Sequence, residues 1–142
     1  MTTVEYLEQI GKLNSKINNK LVEIEQARVM ACSISAINYD ERVQASPNFD
    51  KIGTVLSKIE NMEIKLNKLI DVYVDTKNYI IGQIESLDDV RLSMVLFGRY
   101  VKKDTYEKIA EDINYSVRQT IRLHDKAILA FEDKYYSEYA GR

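Results

Sequence analysis

The chain is poor in the residues that punctuate or cross-link a fold: among 142 residues there is one Pro, one Cys, one His, no Trp and only five Gly. With so few breakers, a domain of many short strands and tight turns is excluded, and the apolar share of 45% is too high for a disordered chain. Cys32 has no second cysteine to pair with, and one Cys with one His cannot complete a four-ligand zinc site, so a disulfide scaffold and structural zinc are both excluded. No stretch approaches the roughly 18 consecutive apolar residues of a membrane span, and Met1 to Glu5 begins with neither a basic segment nor an apolar signal core. The expectation is a soluble, cytoplasmic protein with no membrane partner. A net charge of −2 exerts no global pull on polyanions, so a nucleic-acid reading must rest on a local basic face.

What is present is helical periodicity. From Val4 to about Val43 the apolar residues Leu7, Ile10, Ile17, Leu21 and Ile24 alternate at spacings of three and four, with Asn14 taking a seam position. Ser46 and Pro47 then read as the N-cap and first position of a second helix. Its seam is Ile52, Leu56, Ile59, Leu66, Ile70, Tyr73, Ile80 and Ile84, interrupted by Glu63 and Lys77, which mark where it meets solvent. Two long helices joined by a short turn should pack as an antiparallel hairpin. Residual stripes through Val22, Val29, Val55, Leu69 and Val72 point to further copies of the chain, hence a homo-oligomer, dimer or tetramer. Cys32, beside Ala31 and Ser33, is expected to pack rather than to react.

After Ser86 the runs shorten. Asp88-Asp89 caps a helix whose apolar side is Val90, Leu92, Val95, Leu96 and Phe97, ending near Gly98 to Tyr100. Asp104, three before Glu107, predicts a reciprocal cap on a helix that buries Tyr106, Ile109, Ala110 and Ile113. Asn114-Tyr115 turns the chain, Ser116 caps again, and Val117 to about Tyr135 forms the last helix. Thr120, Leu123, Ala127 and Phe131 face inwards, with Ile121 or Ile128 at the border, and a tyrosine-rich tail follows. The fold class is therefore all-α: a long antiparallel, coiled-coil-like helical hairpin over 1–86, acting as the oligomerisation element, followed by a C-terminal three-helix helix-turn-helix unit over 87–142.

A helix-turn-helix places its second helix in the major groove, so that helix must begin with residues able to reach base edges. Arg118, Gln119, Arg122 and Lys126 share one polar side, and Arg and Gln have the donor and acceptor geometry for guanine and adenine edges. Lys102, Lys103 and Lys126 suit phosphates. From Arg99 to Lys126 there are seven basic and five acidic residues, an excess of only two.

The segment Leu87 to Phe131, with Arg99-Tyr100, Tyr106-Glu107-Lys108-Ile109-Ala110, Tyr115-Ser116 and His124-Asp125-Lys126-Ala127-Ile128, resembles region 4 of bacterial sigma factors. It is more closely similar to phage and prophage late-transcription activators of the ArpU and RinA type, as is Arg42 to Ile52 upstream. The resemblance implies a sequence-specific transcriptional regulator of phage or prophage origin that binds double-stranded DNA through its last helix. It places base contacts just after the N-cap, at Val117, Arg118 and Arg122. Sigma factors often carry polar residues where this chain has Val117 and Ile121, so a sigma-like promoter element need not be the target. The candidate DNA-contacting set is Ser116, Val117, Arg118, Gln119, Arg122, Lys126, Lys102 and Lys103. Two other readings stand beside it: a small terminase subunit recognising packaging DNA, and a protein-docking module for bacterial RNA polymerase.

No nucleophile with its base, no Gly-rich phosphate loop and no metal-ligand spacing presents itself, so the chain is expected to be neither an enzyme nor a binder of cofactor, metal or small-molecule substrate. His124 is read as packing or capping locally.

Overall fold

A computed structural model describes residues 1–40 and 48–141, so the expected cap at Ser46 and Pro47 lies outside the described residues. Among them the fold is all-helical, without strands: α1 (Thr3–Asp40), α2 (Asn48–Glu85), α3 (Val90–Leu96), α4 (Tyr106–Ile113) and α5 (Val117–Tyr139). No helix is long and apolar enough to cross a membrane among the described residues. The helices form two compact units, one made of Asn14–Val72 and one of Met1–Leu13 with Tyr73–Arg142.

In the unit Asn14–Val72, α1 and α2 run antiparallel. Ile17, Ile24 and Ala31 of α1 and Ile59 and Leu66 of α2 are buried, each helix repeating at seven residues. Leu21, Leu56 and Ile70, expected on the seam, are instead exposed. Here the two helices close over only one column each, so the positions three or four residues away that would complete a seam are left to solvent. Arg28 reaches across to Glu63 as an ion pair on that open side. Cys32, expected to pack, faces solvent.

The other unit has a three-sided core. Tyr6, Leu7 and Ile10 of α1, Ile80 and Ile84 of α2, and Ala127, Phe131 and Tyr139 of α5 close on Leu87, Leu96 and Tyr100. The tyrosine-rich tail belongs to this core, because α5 keeps its four-residue step from Leu123 through Ala127, Phe131 and Tyr135 to Tyr139. Tyr139 stacks on Tyr6 with ring centroids 4.4 Å apart, and its hydroxyl shares a 2.7 Å hydrogen bond with Thr3 Oγ1. Around it, Tyr6 donates to Gln83 at 2.7 Å, while Gln83 and Tyr79 both donate to Glu138, at 2.9 and 2.8 Å. Burying Thr3, Tyr6, Gln83 and Tyr139 is tolerable because each polar tip has a partner, while Tyr79 and Glu138 close the network at the surface. A second, smaller cluster of Val95, Ile109 and Leu123 joins α3, α4 and α5.

The tail's place in the core makes Tyr139→Ala costly, by about 3–5 kcal/mol on the scale of large-to-small core substitutions. Tyr139→Phe keeps the stacking but strands Thr3 Oγ1 and should cost about 1–3 kcal/mol. Urea unfolding followed by circular dichroism reads both, and equal stability for all three proteins would contradict the packing.

Candidate nucleic-acid interface

Three local devices set α4 and α5 in place. Asp89 caps α3 by accepting from Arg91 N at 3.0 Å. Val90, expected on the apolar side of α3, is exposed in its first turn, whereas Val95 and Leu96 are buried as expected. After Leu96 the helix widens through Phe97–Val101, where Lys102 N bonds back five residues to Phe97 O at 3.1 Å. A wide turn of this kind shifts the helix face, and it brings Gly98 against α4. A Cβ on Gly98 would lie 2.9 Å from Cγ1 of the buried Ile109, so α4 can sit this close only on a glycine.

Lys103 then takes a left-handed conformation with φ 57°, and Asp104 N bonds to Gly98 O at 2.9 Å. The expected Asp104 cap on α4 is corrected here: Thr105 is the N-cap, accepting from Lys108 N at 3.2 Å. Asp104 is drawn away because its carboxylate holds Lys102 Nζ at 3.2 Å and its carbonyl accepts from Arg99 at 3.2 Å.

Between α4 and α5, Asn114 is left-handed with φ 59°, a conformation its short polar side chain tolerates. Ser116 caps α5 as expected, and Gln119 completes a reciprocal box: Ser116 Oγ accepts from Gln119 N at 3.1 Å, and Gln119 Oε1 accepts from Ser116 N at 3.1 Å. The Gln119 carbonyl is thus turned onto its own helix end. Ser-x-x-Gln is the spacing of a capping box and was there to be read.

Below the cap, Thr120, Leu123, His124 and Ala127 are buried. His124, expected to pack or cap locally, packs: its Nε2 shares a 2.8 Å hydrogen bond with the Tyr100 hydroxyl, and the Tyr106 ring meets it edge-on at 5.7 Å. Burial holds the imidazole below its ordinary value, against the pull of the Asp125 carboxylate 3.5 Å from Nδ1. Burial likewise pushes the Tyr100 hydroxyl up to about 12.

The opposite side of α5 carries Arg118, Arg122 and Lys126, all exposed, at four-residue intervals that make one stripe. Val117 and Ile121 are partly exposed beside them, at 38% and 41%. Among the described residues none of the three cations has an acidic partner within ion-pair distance. Their neighbours differ. Lys102 lies 3.2 Å from Asp104 and 3.7 Å from Asp112, and Lys108 holds Asp112 at 3.1 Å. Arg91 pairs with Asp89 at 3.0 Å, Arg99 lies over the Tyr106 ring at 4.4 Å, and Lys134 donates to Ser86 O at 2.7 Å. Lys103 crosses Gly11 of α1, where a Cβ would stand 2.5 Å from its Cε. The structure thus groups Ser116 to Lys126 at the start of α5 and sets Lys102 and Lys103 apart, in contact with other groups.

Compared with family models, curated proteins and solved structures, the chain matches none.

Two expectations follow from this geometry. Gly98→Ala should destabilise by about 1–3 kcal/mol, the cost of overpacking against a buried side chain, whereas Gly11→Ala only displaces the flexible end of Lys103 and should not. Thermal melts of both variants test the contrast. Because folded His124 takes a proton less readily than the unfolded chain, stability should fall as pH drops below about 6.5. His124→Gln, which keeps a polar partner for Tyr100, should flatten the fall between pH 7 and the lowered folded value, read by urea midpoints across that range.

Proposed function

We propose that α4, the Asn114 turn and α5 form a helix-turn-helix braced by α3, and that the chain is a sequence-specific, non-enzymatic DNA-binding regulator of phage or prophage transcription. The observation that carries this reading is the unpaired stripe of Arg118, Arg122 and Lys126, in a unit whose other cations are largely engaged with neighbours. Three cations along one stripe with no ion-pair partner and a single acid, Asp125, beside them repel one another, and phosphate or base-edge contacts supply the missing partners.

Division of labour follows from position. Arg118 and Arg122, in the first two turns after the cap, reach guanine O6 and N7. Gln119 fixes the helix end through its Oε1 and keeps its Nε2 donors for an acceptor. Val117 and Ile121 offer apolar contact to thymine methyl groups, and Lys126 meets a phosphate further along. Lys102 and Lys103 serve as phosphate contacts at the edge, Lys102 only by sharing itself with Asp104. The resemblance to sigma region 4 and to phage late activators supports the same assignment, with the promoter as the site of action.

Selection from a random DNA pool, followed by affinity measurement across a salt series, tests it. Arg118→Ala or Arg122→Ala should cost about 1–3 kcal/mol on the selected site and relax specificity there. Lys126→Ala should weaken all sequences alike and flatten the salt dependence. Failure to enrich any motif, with binding that ignores salt, would turn the reading towards protein docking.

A further inference from the structure

The unit Asn14–Val72 shows more apolar side chain than it hides. Among its described residues five apolar side chains are buried and eight large ones are exposed. A pair of helices with a single buried column has too little core to hold itself folded, and exposed apolar surface on this scale marks an interface.

Three of the eight exposed residues, Leu21, Leu56 and Ile70, fall in register with a charged pair. Leu21 and Arg28 are seven apart in α1, and Leu56, Glu63 and Ile70 are seven apart in α2, so each set forms one stripe. Leu21, Arg28 and Glu63 rim a groove of about 420 Å³ whose floor includes Ile24 and Leu66, which puts the two stripes on the same face. Arg28 and Glu63 are paired there, fixing the level of the antiparallel helices. One heptad back along α1 and one heptad on along α2 brings Leu21 level with Ile70. These two levels are therefore matched across the face, aliphatic beside aliphatic at Leu21 and Ile70 and cation beside anion at Arg28 and Glu63.

We propose that this face is covered by a second copy of the chain, rotated half a turn about an axis parallel to the helices, giving a four-helix bundle in which every adjacent pair is antiparallel. The rotation sets α1 of one copy opposite α2 of the other at the same height. Arg28 then meets the partner's Glu63, and Leu21 meets the partner's Ile70, in both directions at once, the reciprocity of a two-fold interface. Charge agrees with this occupant: residues 14–72 hold eight Lys and Arg against eight Asp and Glu, so two copies approach without net repulsion. The inference goes beyond the DNA-binding reading and does not rest on it.

Charge exchange in the full-length chain, followed by sedimentation equilibrium and circular dichroism without DNA, tests the arrangement. The wild-type chain is expected to be a dimer. Arg28→Glu places acids at all four corners of that level and Glu63→Arg places bases there, so each variant alone should run as a monomer at concentrations where the wild type is dimeric. Mixed, the two should form a one-to-one heterodimer, because every acid then faces a base on the other chain. If either variant loses helix alone, the mixture should regain both helix and mass. Leu21→Gln should raise the dissociation constant at least tenfold. A monomeric wild type, single variants that stay dimeric, a mixture that stays monomeric, or unchanged affinity in Leu21→Gln would each overturn the proposal and leave the DNA reading untouched.

Discussion

In the unit that carries the candidate interface, everything depends on α5 burying two different stretches of one stripe. Its first half closes the small cluster of Val95, Ile109 and Leu123, which fixes α4 at the correct distance. Its second half, through Phe131 and Tyr139, locks onto Tyr6 and Ile80 in the ends of the long helices. A helix held along its whole length by buried contacts is rigid, and a rigid helix can present side chains at fixed intervals. The stripe of Arg118, Arg122 and Lys126 keeps its spacing because Thr120, Leu123, His124 and Ala127 behind it have nowhere to move.

That constraint explains what was legible in the sequence. Long helices, the Asn114 turn and the Ser116 cap could be read directly, since each depends on local chemistry: period, a left-handed Asn and a capping hydroxyl. The tail was not legible, because Tyr135-Tyr136-Ser137-Glu138-Tyr139 looks polar enough to be exposed, and only the partners Thr3 and Tyr6, more than a hundred residues away, make Tyr139 a core residue. Asp104 misled for a related reason. It has the composition of a cap, but Lys102 and Arg99 compete for it, and the neighbouring Thr105 takes the role. In the long helices the three-four pattern showed helix correctly but only half of the seam, because Leu21, Leu56 and Ile70 belong to a stripe that one chain alone leaves exposed.

The candidate site could be read as a set of residues on one helix but not as an electrostatic object. An excess of two basic residues from Arg99 to Lys126 gives little reason to expect a cationic face. The distribution alters that judgement. The acids at 104 and 112 are occupied by Lys102 and Lys108, so their charge is compensated locally. At the start of α5, Arg118, Arg122 and Lys126 stand without ion-pair partners and only the exposed Asp125 lies on the same side, and within roughly one Debye length of about 8–10 Å such a local distribution counts for more than net charge.

Near-neutrality has opposite uses in the two units. Around α5 the charges are sorted so that three cations, with Asp125 beside them, are left without ion-pair partners. In Asn14–Val72 the charges balance, and the matched pair of Arg28 and Glu63 sits among aliphatic side chains on an open face. An exposed ion pair of that kind contributes little to the stability of a single chain, typically 0–1 kcal/mol. Its worth lies in selection: a partner that slips by one heptad along the face would set Arg28 against an aliphatic side chain and leave a charge to be desolvated without compensation. Aliphatic residues supply the drive to associate, and the single charged level supplies the register. An apolar face alone would permit several alignments, and the charged level removes all but one.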